Sequence, residues 1–93
     1  MKLGVYSLKK ILFEGEAVAV NCKTAAGEIT ILDHHRPLIS MLEPGVMKIT
    51  DASKKDMFVN VSAGFLEVNS DNRAKAGVST KPMDGVLVDL ELR

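Results

Sequence analysis

The one cluster of side chains able to ligate a metal or act as a general base is Asp33-His34-His35, which holds both histidines of the 93 residues. Neutral imidazoles and a carboxylate suit a divalent cation, and an imidazole beside a carboxylate is also a general base. In an extended segment, however, adjacent residues point to opposite faces, so His34 and His35 do not converge on one ion. No second acidic or histidine cluster completes a coordination sphere. Ser40 and Ser62 are the hydroxyl nucleophiles to consider, and neither sits in a glycine-bounded elbow. Cys22 shares an alternating apolar face with Val18 and Val20, the setting of a buried, inert thiol rather than a reactive one. The expectation is no catalytic residue, no metal site and no cofactor, with the histidine segment a solvated loop that makes a hydrogen bond or an interface contact.

The elements that must carry this loop are short and alternate with period two. Leu3–Tyr6 and Ile11–Phe13 read as two strands split by Ser7-Leu8-Lys9-Lys10, and Glu16–Lys23 as a third, with Val18, Val20 and Cys22 on one face. Ala25-Ala26-Gly27 turns the chain. Ile29 and Ile31 then face inward while Glu28 and Thr30 face out. Pro37 has no N–H to donate to a ladder, and Leu38–Leu42 is an apolar run ending at Pro44-Gly45, which fits the centre of a type II turn with glycine at positive φ. Val46–Thr50, Met57–Val61 and Gly64–Val68 follow, separated by turn-forming Asp51-Ala52-Ser53 and Asn69-Ser70-Asp71-Asn72. No apolar stripe of helical period persists. The fold class expected is all-β: a single domain, a flattened two-sheet sandwich.

Composition narrows the function classes. Twelve basic and twelve acidic side chains cancel, so no net field favours nucleic acid or an anionic membrane, and four aromatics give no stacking platform. One cysteine excludes an internal disulfide. The start of the chain lacks the pattern of a secretory leader, and the apolar runs are far shorter than the ~20 residues of a spanning helix. A cytoplasmic protein is expected, reaching a membrane only through a partner.

Three stretches carry a family resemblance. Gly27-Glu28-Ile29-Thr30-Ile31, then His35-Arg36-Pro37-Leu38-Ile39-Ser40 and Pro44-Gly45, are flanked by Ile11-Leu12-Phe13-Glu14-Gly15-Glu16 and by Ser62-Ala63-Gly64-Phe65-Leu66-Glu67-Val68. In order and spacing, over roughly residues 1 to 72, these resemble the epsilon subunit of F-type ATP synthases. The resemblance implies a β-sandwich of about ten strands and a non-catalytic central-stalk subunit, linking the gamma subunit to the membrane c-ring and coupling ion flow to ATP synthesis. It places the protein peripherally, on the cytoplasmic side of the energy-transducing membrane. Carried over residue by residue, it gives Glu28 as the c-ring contact and His35 and Ser40 as gamma contacts. The loop departs from the family pattern: Thr30, Asp33, His34 and Arg36 stand where glycine, proline, glycine and alanine are usual. Losing a glycine at His34 changes the backbone options there.

The family's sandwich is followed by a helical hairpin that restrains hydrolysis and in some members binds ATP. Residues 1–80 form the expected sandwich here, and 81–93 a short tail. Val86, Val88, Leu90 and Leu92 alternate with Leu87, Asp89, Glu91 and Arg93, so the tail is expected to be a strand covering an edge along Ala74–Val78, without the helical brake and without ATP binding. The competing function, resting on Asp33-His34-His35 alone, is a small metal-dependent hydrolase or ligand-binding sandwich.

Overall fold

The computed structural model describes residues 1–79. They form eight strands: β1 (Lys2–Tyr6), β2 (Ile11–Thr24), β3 (Gly27–Leu32), β4 (Leu38–Leu42), β5 (Gly45–Asp51), β6 (Asp56–Val61), β7 (Ala63–Val68) and β8 (Arg73–Ser79). All are hydrogen-bonded into one continuous sheet, and β2 is the strand that makes it a sandwich. Residues 11–16 of β2 pair with β1, which continues through β8 and β7 to β4. Residues from Ala17 onward pair with β3 on one edge and β5 on the other, and β5 continues to β6. Buried side chains from both ladders, among them Val5 and Leu66 from the first and Val20, Ile31, Ile49 and Val59 from the second, belong to one cluster. The sheet therefore doubles over on a shared core, as two sheets do when they pack face to face. Each of these fully buried side chains contributes on the order of 1.5 to 3 kcal/mol of transfer free energy.

Two segments expected as separate strands, Ile11–Phe13 and Glu16–Lys23, are thus one fourteen-residue strand. This also lowers the strand count among the described residues to eight. The passage between layers costs a slip of phase. A bulge lies between Ala17 and Ala19, where the β5 pairing jumps by one, so Ala17 is buried and Val18 only half-buried before Val20 and Cys22 resume the inward face. Strict alternation puts Val18 on the wrong side for this reason. Cys22 is buried, and burial pushes its thiol up to about 11, so it stays protonated and unreactive near neutral pH.

Other joints follow from local chemistry. The Ser7 hydroxyl accepts from the amides of Lys9 and Lys10, at 3.4 and 3.1 Å, closing the β1–β2 turn. Asp51 accepts from Ser53 and Lys55 amides, and Asn69 from Asp71 and Arg73 amides, so each turn cluster supplies its own acceptor. The Pro44-Gly45 corner differs from a type II turn: Gly45 is absent from the positive-φ residues and is already the first residue of β5, paired with Val61. Ladder pairing fixes it in the extended region. Nor is Ala74–Val78 an edge. β8 lies between β7 and the parallel β1, so small Ala74 and Ala76 are buried in an interior strand. The strand expected for 81–93 lies outside the described residues, but the edge assigned to it along β8 is filled by β1.

Candidate functional site

β3 has two of the three candidate residues, Glu28 and His35, at its two ends. Its register against β2 runs from Gly27 opposite Thr24 to Leu32 opposite Ala19. Glu28 and the loop that follows Leu32 are therefore separated by the length of the strand, about 13 Å over the four residues from Glu28 to Leu32. Ile29 and Ile31 point inward, Ile31 with no exposed area, while Glu28 and Thr30 are exposed. The inward and outward faces match the alternation of the sequence.

At the first end, the chain reverses through Ala25 and Ala26 into Gly27 at φ 120°. Thr24, buried, bridges the turn: its hydroxyl donates to the Gly27 carbonyl at 2.8 Å and accepts from the Ala26 amide at 3.2 Å. Glu28 emerges next to this turn, opposite Lys23, with its carboxylate exposed and in no ion pair among the described residues. It is an acid on a rigid support, available to a basic group on a partner.

At the second end, the histidine loop is not extended. The His35 amide donates to the Leu32 carbonyl at 3.2 Å, closing a turn in which His34 takes φ 62°. A histidine thus holds a left-handed conformation that usually favours glycine. Its amide donates to Asn72 Oδ1 at 2.7 Å, across 38 residues of sequence. Asp33 accepts from the Met1 ammonium and, at 3.5 Å, from the Asn72 amide side chain. The same ammonium donates to the Ala17 carbonyl and lies 3.4 Å from Glu16. Burial alone would push the ammonium down, and Asp33 with Glu16 more than reverses this, so it stays raised. The hydrogen bond from that ammonium holds the Asp33 carboxyl below its ordinary value, against its own partial desolvation. Asp33 therefore has a structural counterion, which its letters alone did not reveal.

His35 is half-buried, and its Nδ1 meets the Arg36 carbonyl at 2.7 Å. A carbonyl only accepts, so Nδ1 carries the proton and, in the neutral ring, Nε2 remains as an acceptor. Among the described residues no three His, Cys, Asp or Glu side chains come together to hold an ion. The two histidines sit in a turn, not in the extended segment that alternation would give.

Ser40 lies apart from both ends, in the middle of β4 and opposite Leu66 of β7. It is half-buried on the inward side with Leu38 and Leu42, and its hydroxyl donates to the Met41 carbonyl at 3.3 Å. Its neighbours face out: Ile39 and Met41 are 75 % and 66 % exposed, and Met41 pairs with Phe65, also exposed. A continuous apolar run gives no sign of which residues point outward, so Ile39 and Met41 were indistinguishable from core at the level of sequence.

Comparison with known proteins adds to this geometry. Residues 1–74 match the family model described as ATP synthase, delta/epsilon chain, β-sandwich domain. An ATP synthase epsilon chain of Dichelobacter nodosus is 38 % identical over 66 residues, covering 71 % of this chain and 46 % of that protein. Two cryo-EM structures share the fold. A chain of the Euglena gracilis mitochondrial ATP synthase (OSCP/F1/c-ring, rotational state 1) has a TM-score of 0.78 and 22 % identity, with 84 % of this chain and 49 % of that one covered. A chain of the Tetrahymena thermophila mitochondrial ATP synthase central stalk and c-ring has a TM-score of 0.71 and 20 % identity, with 84 % and 62 % covered. This chain spans about half the length of the curated relative it matches.

Proposed function

The chain belongs to the ATP synthase delta/epsilon chain β-sandwich family, and on that premise we propose that it is a non-catalytic central-stalk subunit of an F-type ATP synthase, joining a gamma subunit to the membrane c-ring. The observation that carries this reading is the family match across residues 1–74, to which the placement of Glu28 and His35 at opposite ends of one strand adds support. Glu28, exposed beside the Gly27 turn, is the contact to the basic rim of a c-ring. His35, and β4 around Ser40, make the contact to gamma, with Ile39 and Met41 as the apolar side chains that β4 presents.

A coupling part must carry load without deforming. Here a force applied at Glu28 passes along β3 into β2, to which β3 is paired over its whole length, and β2 is bonded into both layers. No bond is made or broken in such a role, and neither ATP nor a metal is needed by the residues named. Among the described residues no helix is long and apolar enough to cross a membrane. Attachment is peripheral, through the c-ring, on the cytoplasmic side.

The test is reconstitution with gamma and c-ring. Glu28→Lys should leave folding within about 0.5 kcal/mol of the parent, as exposed substitutions do, while weakening attachment to the c-ring and flattening its salt dependence, since a rim contact between charges is screened. A variant that couples as well as the parent at every salt concentration would remove Glu28 from the contact. Failure of the parent chain to co-purify with a gamma subunit would overturn the reading as a whole.

A further inference from the structure

We propose that Asn72 is a positioning residue, whose side chain fixes the left-handed turn at His34 and thereby sets the direction in which His35 is presented to a partner. The proposal rests on the reading of His35 as a gamma contact. The geometry behind it is a junction of three segments that are far apart in sequence. The Asn72 carbonyl accepts from the Lys2 amide at 3.2 Å, tying it to the start of β1. Its Oδ1 accepts from the His34 amide at 2.7 Å, and its Nδ2 donates to Asp33 at 3.5 Å. One side chain therefore satisfies two consecutive residues of the histidine loop, using its acceptor on one and its donor on the other.

Asn72 is suited to this by its own backbone. It closes the Asn69–Arg73 turn at φ 59°, a conformation that asparagine tolerates better than most residues. The loop it holds needs holding. His34 at φ 62° has no glycine freedom, and among the described residues the tertiary bond its backbone makes is the one to Asn72. Without that bond the extended conformation becomes open to His34, and His35, one residue on, leaves the strand in a different direction. Arg36, whose carbonyl orients the His35 ring, moves with it.

The experiment uses the full chain with two variants, and the gamma subunit of an F-type ATP synthase as the probe. Asn72→Gly keeps the backbone conformation and removes the side chain; Asn72→Asp made together with Asp33→Asn keeps the acceptor for the His34 amide without setting two carboxylates against each other. In the isolated chain, Asn72→Gly should speed hydrogen exchange of the His34 amide roughly three- to tenfold, the range set by losing one ordinary hydrogen bond, and weaken gamma binding by a similar factor. The Asn72→Asp/Asp33→Asn pair, with the donor now on residue 33, should restore the protection of that amide, which a role in general stability alone does not explain. Unchanged His34 exchange in Asn72→Gly overturns the proposal, whatever the partner. Lost protection with unchanged gamma affinity, while His35→Ala still weakens binding, overturns the positioning role and leaves the His35 contact standing. If His35→Ala leaves gamma affinity unchanged as well, the contact itself is wrong and the positioning role falls with it.

Discussion

The two ends of β3 solve the same problem in opposite ways. Both reverse the chain, and both need a residue at positive φ: Gly27 at 120° and His34 at 62°. The first value is open essentially to glycine alone, whereas the second lies in the small left-handed region that L-residues enter at a cost of about 1 to 2 kcal/mol. At Gly27 the answer is local, and space is not the constraint, since a Cβ there would meet nothing within 4 Å. At His34 the answer is tertiary, spread over Asn72, Asp33 and the Met1 ammonium. A turn written into one residue survives changes around it. A turn written into its neighbours can present a histidine where a glycine would present nothing, and it fails when the neighbours do.

The change expected to break the comparison altogether lies between the two ends. Ile31→Ala empties a site with no exposed area and should destabilise the fold by roughly 2 to 5 kcal/mol, while Thr30→Ala on the other face should be nearly silent. Chemical denaturation of the pair checks it, and equal midpoints would mean the faces of β3 are reversed. Next in size, Gly27→Ala should cost about 1 to 3 kcal/mol, all of it backbone strain because the methyl itself has room. His34→Gly sharpens the contrast by going the other way. It should raise stability by less than ~1 kcal/mol, the relief of left-handed strain being offset by the greater freedom of glycine in the unfolded chain. A loss of stability greater than that would show that the His34 ring, and not only its backbone, is part of the fold.

How much of this was legible beforehand divides along the same line. Ile29, Ile31, Glu28 and Thr30 could be assigned to faces because a period of two is a local property of consecutive residues. The buried Cys22 and the acceptors Asp51 and Asn69 were legible for similar reasons, each lying within its own turn or strand. Val18 was not, because a bulge shifts phase without leaving a mark on residue type. The partner of Asp33 lies 32 residues away at Met1, and that of His34 lies 38 away at Asn72. Neither a charge nor a lost glycine names its counterpart, which only the closing of the sandwich supplies. Ser40 shows the converse: the family pattern picks out its position, while the exposed side chains on that strand belong to Ile39 and Met41.

The smallest effect expected concerns pH, and it belongs to the tie beside the His34 turn. The Asp33 carboxyl is held below its ordinary value of 3.8, so its contribution is fully present above that value and lost as pH falls through the lowered one. The Met1 ammonium is raised above 8.0, so its contribution is fully present below 8.0 and lost as pH rises through the raised one. Between these limits the tie is intact. Thermal unfolding followed over roughly pH 3 to 10 should show Asp33→Asn weakening both dependences by removing the shared pair. Curves for Asp33→Asn that parallel the parent at both extremes would count against the tie.

The parallel pairing of β1 with β8 has a consequence for how the chain is made. Lys2 lies beside Arg73 in that ladder, so the first of the described strands waits for the last of them before its second edge is covered. Its other edge is served much sooner, by Glu16 and the residues before it. The delay spans the 57 residues from Glu16 to Arg73, roughly 3 to 11 seconds at ordinary rates of translation. During that interval a nascent chain on the ribosome presents Leu3 and Val5 on an open strand, able to pair with a neighbouring chain. Long-range pairings of this kind also slow folding. The step that seals the sandwich is therefore one that cannot begin until the last of the described strands has emerged.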